Sequence, residues 1–146
     1  MKPSDFLDRL DDAKVVEAIG RAERGTTGEI RVFVSRRTLD GDDILQRAAA
    51  RFRLLELDRT PDRNAVLLYF LPRERKFAVI GDRGFHAKCP PSFWQDVADA
   101  IAGHLREDRF TEAVLAGIGR VGDLLAQHFP AGRDDLHSHP DQVVRD

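Results

Sequence analysis

Asp62-Arg-Asn-Ala-Val-Leu-Leu-Tyr-Phe-Leu71, a four-residue polar turn, and then Lys76-Phe-Ala-Val-Ile-Gly81-Asp-Arg-Gly84 decide how this chain folds. The apolar run from Ala65 to Leu71 is too short for a solitary helix and too uniformly apolar for a half-exposed strand. It therefore reads as a strand covered on both faces. The connection Pro72-Arg-Glu-Arg75 is far shorter than the dozen or so residues a parallel crossover needs, so the strand beginning at Lys76 must run antiparallel to the one before it.

Upstream, Ile30, Val32 and Val34 alternate with Arg31, Phe33 and Ser35, the period-two pattern of another strand over Glu29 to Ser35. Between the two strands, Asp40-Gly41-Asp42 predicts the opening of a helix, with Ile44, Leu45, Ala48, Ala49, Phe52 and Leu55 as its core side. Strand, helix, strand implies a right-handed parallel crossover. Before it, Phe6, Leu7, Leu10, Val15, Val16 and Ile19 return every three or four residues, predicting a helix from Ser4 to Arg24 that Gly25 ends.

Downstream, Ser92 with Gln95 predicts a capping box for a helix carrying Trp94, Val97, Ala98, Ile101 and Leu105. A further helix starts at Asp108, buries Phe110, Val114, Ile118, Val121, Leu125 and Phe129, and stops at Pro130. The expected fold is α/β: a small mixed sheet of three to four strands, including a β-hairpin, flanked by about four helices in one domain over residues 1–130. Residues 131–146 lack periodicity and read as a polar, flexible tail.

Composition narrows the function classes. A chain of 146 residues with 42% hydrophobic content holds one ordinary core. Its single cysteine, Cys89, excludes an intrachain disulfide framework and a cysteine-clustered zinc site. The net charge of −2 gives no general attraction to nucleic acid or anionic lipid, and the charges are interspersed, although 19 of the 23 basic residues are arginine. The acidic N-terminus without an apolar core is not a signal peptide, and no run reaches membrane-spanning length, so a cytoplasmic location is expected.

Strand directions place the candidate site. The starts of the two parallel strands and the end of the antiparallel one share a rim, which gathers Glu29, Asp62, Arg63, Asn64, Asp82 and Arg83 from distant parts of the sequence. Four of them, Asp62, Asn64, Asp82 and Glu29, are candidate oxygen ligands for a hard cation, calcium or magnesium. The opposite rim carries Ser35, Arg36 and Arg37 beside the helix opening at Asp40-Gly41, a weaker candidate for a phosphate or carboxylate because no Gly-rich loop accompanies it. His137 and His139, near Asp134, Asp135 and Asp141, fall in the tail. His86 has no identified partner, and Ser92 reads as a cap and not a nucleophile.

With those residues in view, the chain resembles the TPM-domain family, formerly grouped as a domain of unknown function and including a thylakoid-lumen acid phosphatase. The resemblance rests on Thr26-Thr-Gly-Glu-Ile-Arg-Val, Asp62-Arg-Asn-Ala-Val-Leu-Leu, Arg75-Lys-Phe-Ala-Val-Ile-Gly and Phe110-Thr-Glu-Ala, in that order over residues 4–130. It implies a Rossmann-like α/β/α sandwich and, in some relatives, divalent-cation binding or weak phosphatase activity. Gly81-Asp-Arg-Gly-Phe-His-Ala-Lys, the Pro-Pro-Ser-Phe-Trp run and Phe129-Pro are similar to a branch of small bacterial members. Exported members tend to carry Gly-Tyr-Gly-Leu-Glu after the third strand and an Asp opening the next helix. Here Phe85, His86 and Cys89-Pro90-Pro91 stand in that neighbourhood, so two oxygen ligands of that pattern are missing. The reading that needs no absent residue is a non-catalytic module binding a divalent cation or a protein partner at the rim; the alternative is a weak metal-assisted phosphatase acting on phosphomonoesters.

Overall fold

A computed structural model describes residues 10–132 and 143–145 of the chain. Four strands form one sheet in the order β3-β2-β1-β4, with β1 at Glu29–Val34, β2 at Ala65–Leu71, β3 at Lys76–Gly81 and β4 at Val143–Arg145. β1 is parallel to β2 and to β4, whereas β3 is antiparallel to β2. The expected hairpin closes through a 3-10 turn at Pro72–Glu74, after which Arg75 adopts a left-handed conformation and donates its N–H to the Pro72 carbonyl.

β2 is buried along its whole length. Val66, Leu68 and Phe70 face one core layer together with Ile30, Val32 and Val34. Ala65, Leu67, Tyr69 and Leu71 face the other with Phe33. At about 1.5–3 kcal/mol for each large side chain removed from water, this strand is a principal source of the driving force for folding. Helices α1 (Asp12–Arg24), α4 (Phe93–Arg106) and α5 (Phe110–His128) cover the first layer, and α2 (Ile44–Leu54) covers the second. A single-turn helix, α3 (Arg83–His86), follows β3, giving five α-helices among the described residues. The result is the expected α/β sandwich.

Several element ends differ from the sequence expectation. α1 begins at Asp12, where the Asp11 side chain accepts the Lys14 N–H as its cap; Phe6, Leu7 and the rest of the expected helix before Leu10 lie outside the described residues. α2 begins at Ile44, where Asp43 and not Asp40 is the cap; Asp40 and Gly41 instead form a turn with positive φ. Leu45, expected in the core, is 55% exposed on the outer side of that helix. Ser92 precedes α4 without a side-chain cap bond, and Gln95 bonds Asp99 one turn on, so no capping box forms. α5 begins at Phe110 and not Asp108, which has positive φ. Val143–Arg145, within the stretch expected as a polar tail, pairs with β1 as β4. His137, His139, Asp134, Asp135 and Asp141 lie outside the described residues.

Candidate functional site

The rim at the start of β1 and β2 is built by two short segments that lock together. Arg63 takes a left-handed conformation between Asp62 and Asn64, and its carbonyl accepts the N–H groups of Gly84 and Phe85 at 2.9 and 3.2 Å. Its guanidinium forks onto Asp82, Nε to Oδ2 at 2.6 Å and the second nitrogen to Oδ1 at 3.0 Å. Bidentate, charge-assisted geometry of this kind is the strong form of the interaction. The hydrogen bond to Asp82 raises Arg63 above its usual pKa. Asp82 Oδ1 also accepts the Arg83 N–H at 2.8 Å as the cap of α3. Gly84 must be glycine at this junction, because a Cβ there would lie 2.2 Å from the Asp62 carbonyl oxygen and 2.8 Å from that of Arg63.

Thr26 and Thr27 join the rim to the end of α5. The buried Thr26 hydroxyl donates to the Phe129 carbonyl, and the Thr27 N–H donates to the same carbonyl at 3.0 Å. Thr27 thereby presents its hydroxyl to the rim, where it accepts from Asn64 Nδ2 at 3.0 Å and donates to Asp62 Oδ2 at 3.2 Å. Asn64 is 1% exposed, and its Oδ1 has no hydrogen-bond partner among the described residues. Asp62 is exposed.

Of the four candidate ligands, Asp62 and Asn64 therefore meet through Thr27. Asp82 is joined to them along the backbone through Arg63, but its carboxylate is occupied by that guanidinium. Glu29 is nearly buried and carries an ion pair of its own, Arg31 to Oε1 at 2.6 Å. A concavity of about 420 Å³ opens beside it, lined among others by Thr27, Glu29, Arg31, Glu56, Arg59 and Thr60. Among the described residues no three His, Cys, Asp or Glu side chains are grouped as a metal shell.

The donor chemistry fits a hard cation at Asp62 and Asn64: one exposed carboxylate, one orphaned amide oxygen and one hydroxyl. It does not fit one at Glu29 or Asp82 while their arginines stay in place. Sequence reasoning placed Arg63 at the rim but missed its role as Asp82's partner, and it missed Thr27 altogether. The Thr-Thr pair before β1 was the available signal for the latter, since two hydroxyls at a turn serve different partners.

On the opposite rim, the Asp43 carboxylate caps α2 by accepting the Leu45 N–H at 2.8 Å. The start of α2 beyond Ser35, Arg36 and Arg37 thus already carries a carboxylate of its own. His86 lies in α3 with its ring 5.5 Å from that of Trp94. Cys89 donates to the Phe85 carbonyl at 3.4 Å, and burial pushes its thiol up to about 11.

Comparison with known proteins agrees with this architecture. An NMR structure of the BA42 protein from the psychrophilic bacterium Bizionia argentinensis superposes with a TM-score of 0.86 at 30% identity, covering 94% of this chain and 96% of that one. The N-terminal domain of the cg2496 protein from Corynebacterium glutamicum (TM-score 0.63, 16% identity, 90% of this chain and 84% of that one) shares the fold. So does the N-terminal domain of a protein from P. gingivalis (0.62, 19%, 85% and 83%). No curated protein matches the chain. A family model described as the TPM domain matches residues 1–124, and the chain belongs to the TPM domain family.

Proposed function

We propose that this TPM domain is a non-catalytic binding module whose rim takes a divalent cation at Asp62 and Asn64. The observation that carries the reading is Asn64 Oδ1, a buried carbonyl oxygen with no hydrogen-bond partner among the described residues. Leaving such a group unsatisfied costs about 1–3 kcal/mol. Its amide nitrogen is already committed to Thr27, whose hydroxyl in turn orients the Asp62 carboxylate. A hard cation answers both groups. Calcium suits the site better than magnesium, because its shell is flexible and its longer bonds tolerate ligands not set in an octahedron.

Glu29 and Asp82 are the outer candidates of the same site. Each would enter the shell only by releasing an arginine, so both stay with their ion pairs, the cation has few protein ligands, and binding is weak. The same pairs favour binding over hydrolysis. A metal-assisted phosphatase needs carboxylates to hold the ion and orient water, and two of the three here already serve arginines.

Calorimetric titration with calcium tests the reading. Wild type is expected to bind with a dissociation constant on the order of 10⁻⁴–10⁻³ M, the range of lightly charged oxygen sites. Asp62→Ala and Asn64→Ala are each expected to abolish the heat while far-ultraviolet circular dichroism stays unchanged. Binding that survives both substitutions would remove the site. Hydrolysis of an aryl phosphate that is lost in Asp62→Ala would replace the module with an enzyme.

A further inference from the structure

We propose that β3 is a strand-addition site for an extended peptide segment of a protein partner, docked antiparallel to β3 with a carboxylate at the Arg75 end. The inference concerns a different edge of the sheet and does not depend on the cation reading.

β3 lies at the end of the strand order, with β2 as its neighbour among the described residues. The Asp82 N–H donates to the Ala65 carbonyl, so that position is a hydrogen-bonded pair. Alternation along the antiparallel register makes Ile80/Leu67, Ala78/Tyr69 and Lys76/Leu71 the bonded pairs. The N–H and C=O groups of Phe77, Val79 and Gly81 consequently turn away from β2, to the open edge. Proteins usually blunt such an edge with charges, proline or a bulge. From Phe77 to Gly81 this one carries none of the first two and continues its register without a bulge.

The edge is also flanked by a groove. At one end, Val79, Ile80, Gly81, His86 and Trp94 line a concavity of about 290 Å³. At the other, Phe77 of β3 and Ala102 and Leu105 of α4 floor one of about 330 Å³, whose walls are Arg75, Arg106 and Asp108. A strand beside a helix with one largely apolar hollow and one charged-walled hollow along their seam has the two parts that strand addition uses: main-chain bonds for affinity and pockets for alternate side chains. Charge fixes the direction. Arg75 and Arg106 are exposed, and neither has an ion-pair partner among the described residues, so with one aspartate they leave the end near Lys76 net positive. That end takes a peptide's carboxylate, which places the peptide antiparallel to β3. The edge from Phe77 to Gly81 accommodates about five residues at about 3.4 Å each.

The test uses a display library of random heptapeptides with free carboxyl termini, panned on the full chain. Enriched sequences are expected to alternate apolar residues and end in an acidic one. A synthetic peptide of the most enriched sequence should shift the amide resonances of Phe77, Val79 and Gly81 and perturb the fluorescence of Trp94, the chain's single tryptophan. Val79→Pro removes one outward N–H and no β2 bond, and should abolish binding. Arg75→Asn with Arg106→Gln, both on the surface, should weaken it about tenfold or more and provides the check if Val79→Pro does not fold. No enrichment would overturn the proposal. Binding indifferent to both variants, or dimerisation of the chain that protects the same three amides without peptide, would also overturn it.

Discussion

At the scale of single residues, the rim is held by contacts that leave little tolerance. Gly84→Ala would press a methyl group into two carbonyl oxygens that cannot move without breaking the turn at Arg63. A loss of about 2–4 kcal/mol is expected, read as a lowered urea midpoint with unchanged slope; a loss under about 0.5 kcal/mol, within the range of an ordinary surface substitution, would mean the junction is looser than described. Cys89 gives a second prediction. Burial raises its folded-state pKa to about 11 from an ordinary 9.0, so its contribution to stability is complete below about pH 9 and is lost as pH rises toward 11. Alkylation of the native protein should be slow at pH 8 and accelerate only near pH 11, and rapid modification at pH 8 would contradict the burial. Of the rim residues, Asp62, Asn64, Asp82 and Glu29 could be named from sequence because strand directions bring their positions together. Their partners could not. Which acid an arginine chooses depends on side-chain reach: Arg63 passes over its neighbours Asp58 and Asp62 for Asp82 across the hairpin, whereas Arg31 takes Glu29 two residues away.

At the scale of elements, periodicity located every strand of the hairpin and the faces of α4 and α5, while caps and starts were misplaced by a few residues. Asp40 and Asp43 are both plausible caps in sequence; the turn at Gly41 selects the later one, and that shift helps leave Leu45 on the solvent side. β4 was illegible because Val143–Arg145 is only three residues long, and its strand state comes from pairing with β1, a tertiary cause. The glycines of α5 separate propensity from packing. A Cβ at Gly119 would meet nothing within 4 Å, whereas one at Gly117 would lie 3.1 Å from Ile101 Cδ1 and 3.2 Å from Leu68 Cδ2. Gly119→Ala should therefore stabilise by about 0.8–1 kcal/mol through helix propensity. Gly117→Ala should gain less or destabilise, because it crowds the contact between α5, α4 and β2. Thermal unfolding of the two variants checks this, and equal stabilisation would contradict the close packing.

At the scale of the whole molecule, one apolar run set the architecture. β2 is covered on both faces, pairs parallel to β1 and antiparallel to β3, and so brings the starts of two strands and the end of the third to a single rim. No helix among the described residues is long and apolar enough to cross a membrane. The family, the sandwich and the neighbourhood of the rim residues were all legible from the sequence, because they follow from strand order and direction. The division of the rim into two arginine-bound acids and a chain of Asp62, Thr27 and Asn64 with one unsatisfied oxygen was not, because most of it is settled by hydrogen bonds of about 3 Å between residues far apart in the chain. A calcium titration followed by amide chemical shifts in the isotope-labelled chain tests that division most directly: Thr27, Asp62 and Asn64 should move together at millimolar metal, while Glu29 and Asp82 move little because their arginines stay bound. Shifts led by Glu29 and Asp82, or no shift at any of the five, would contradict it.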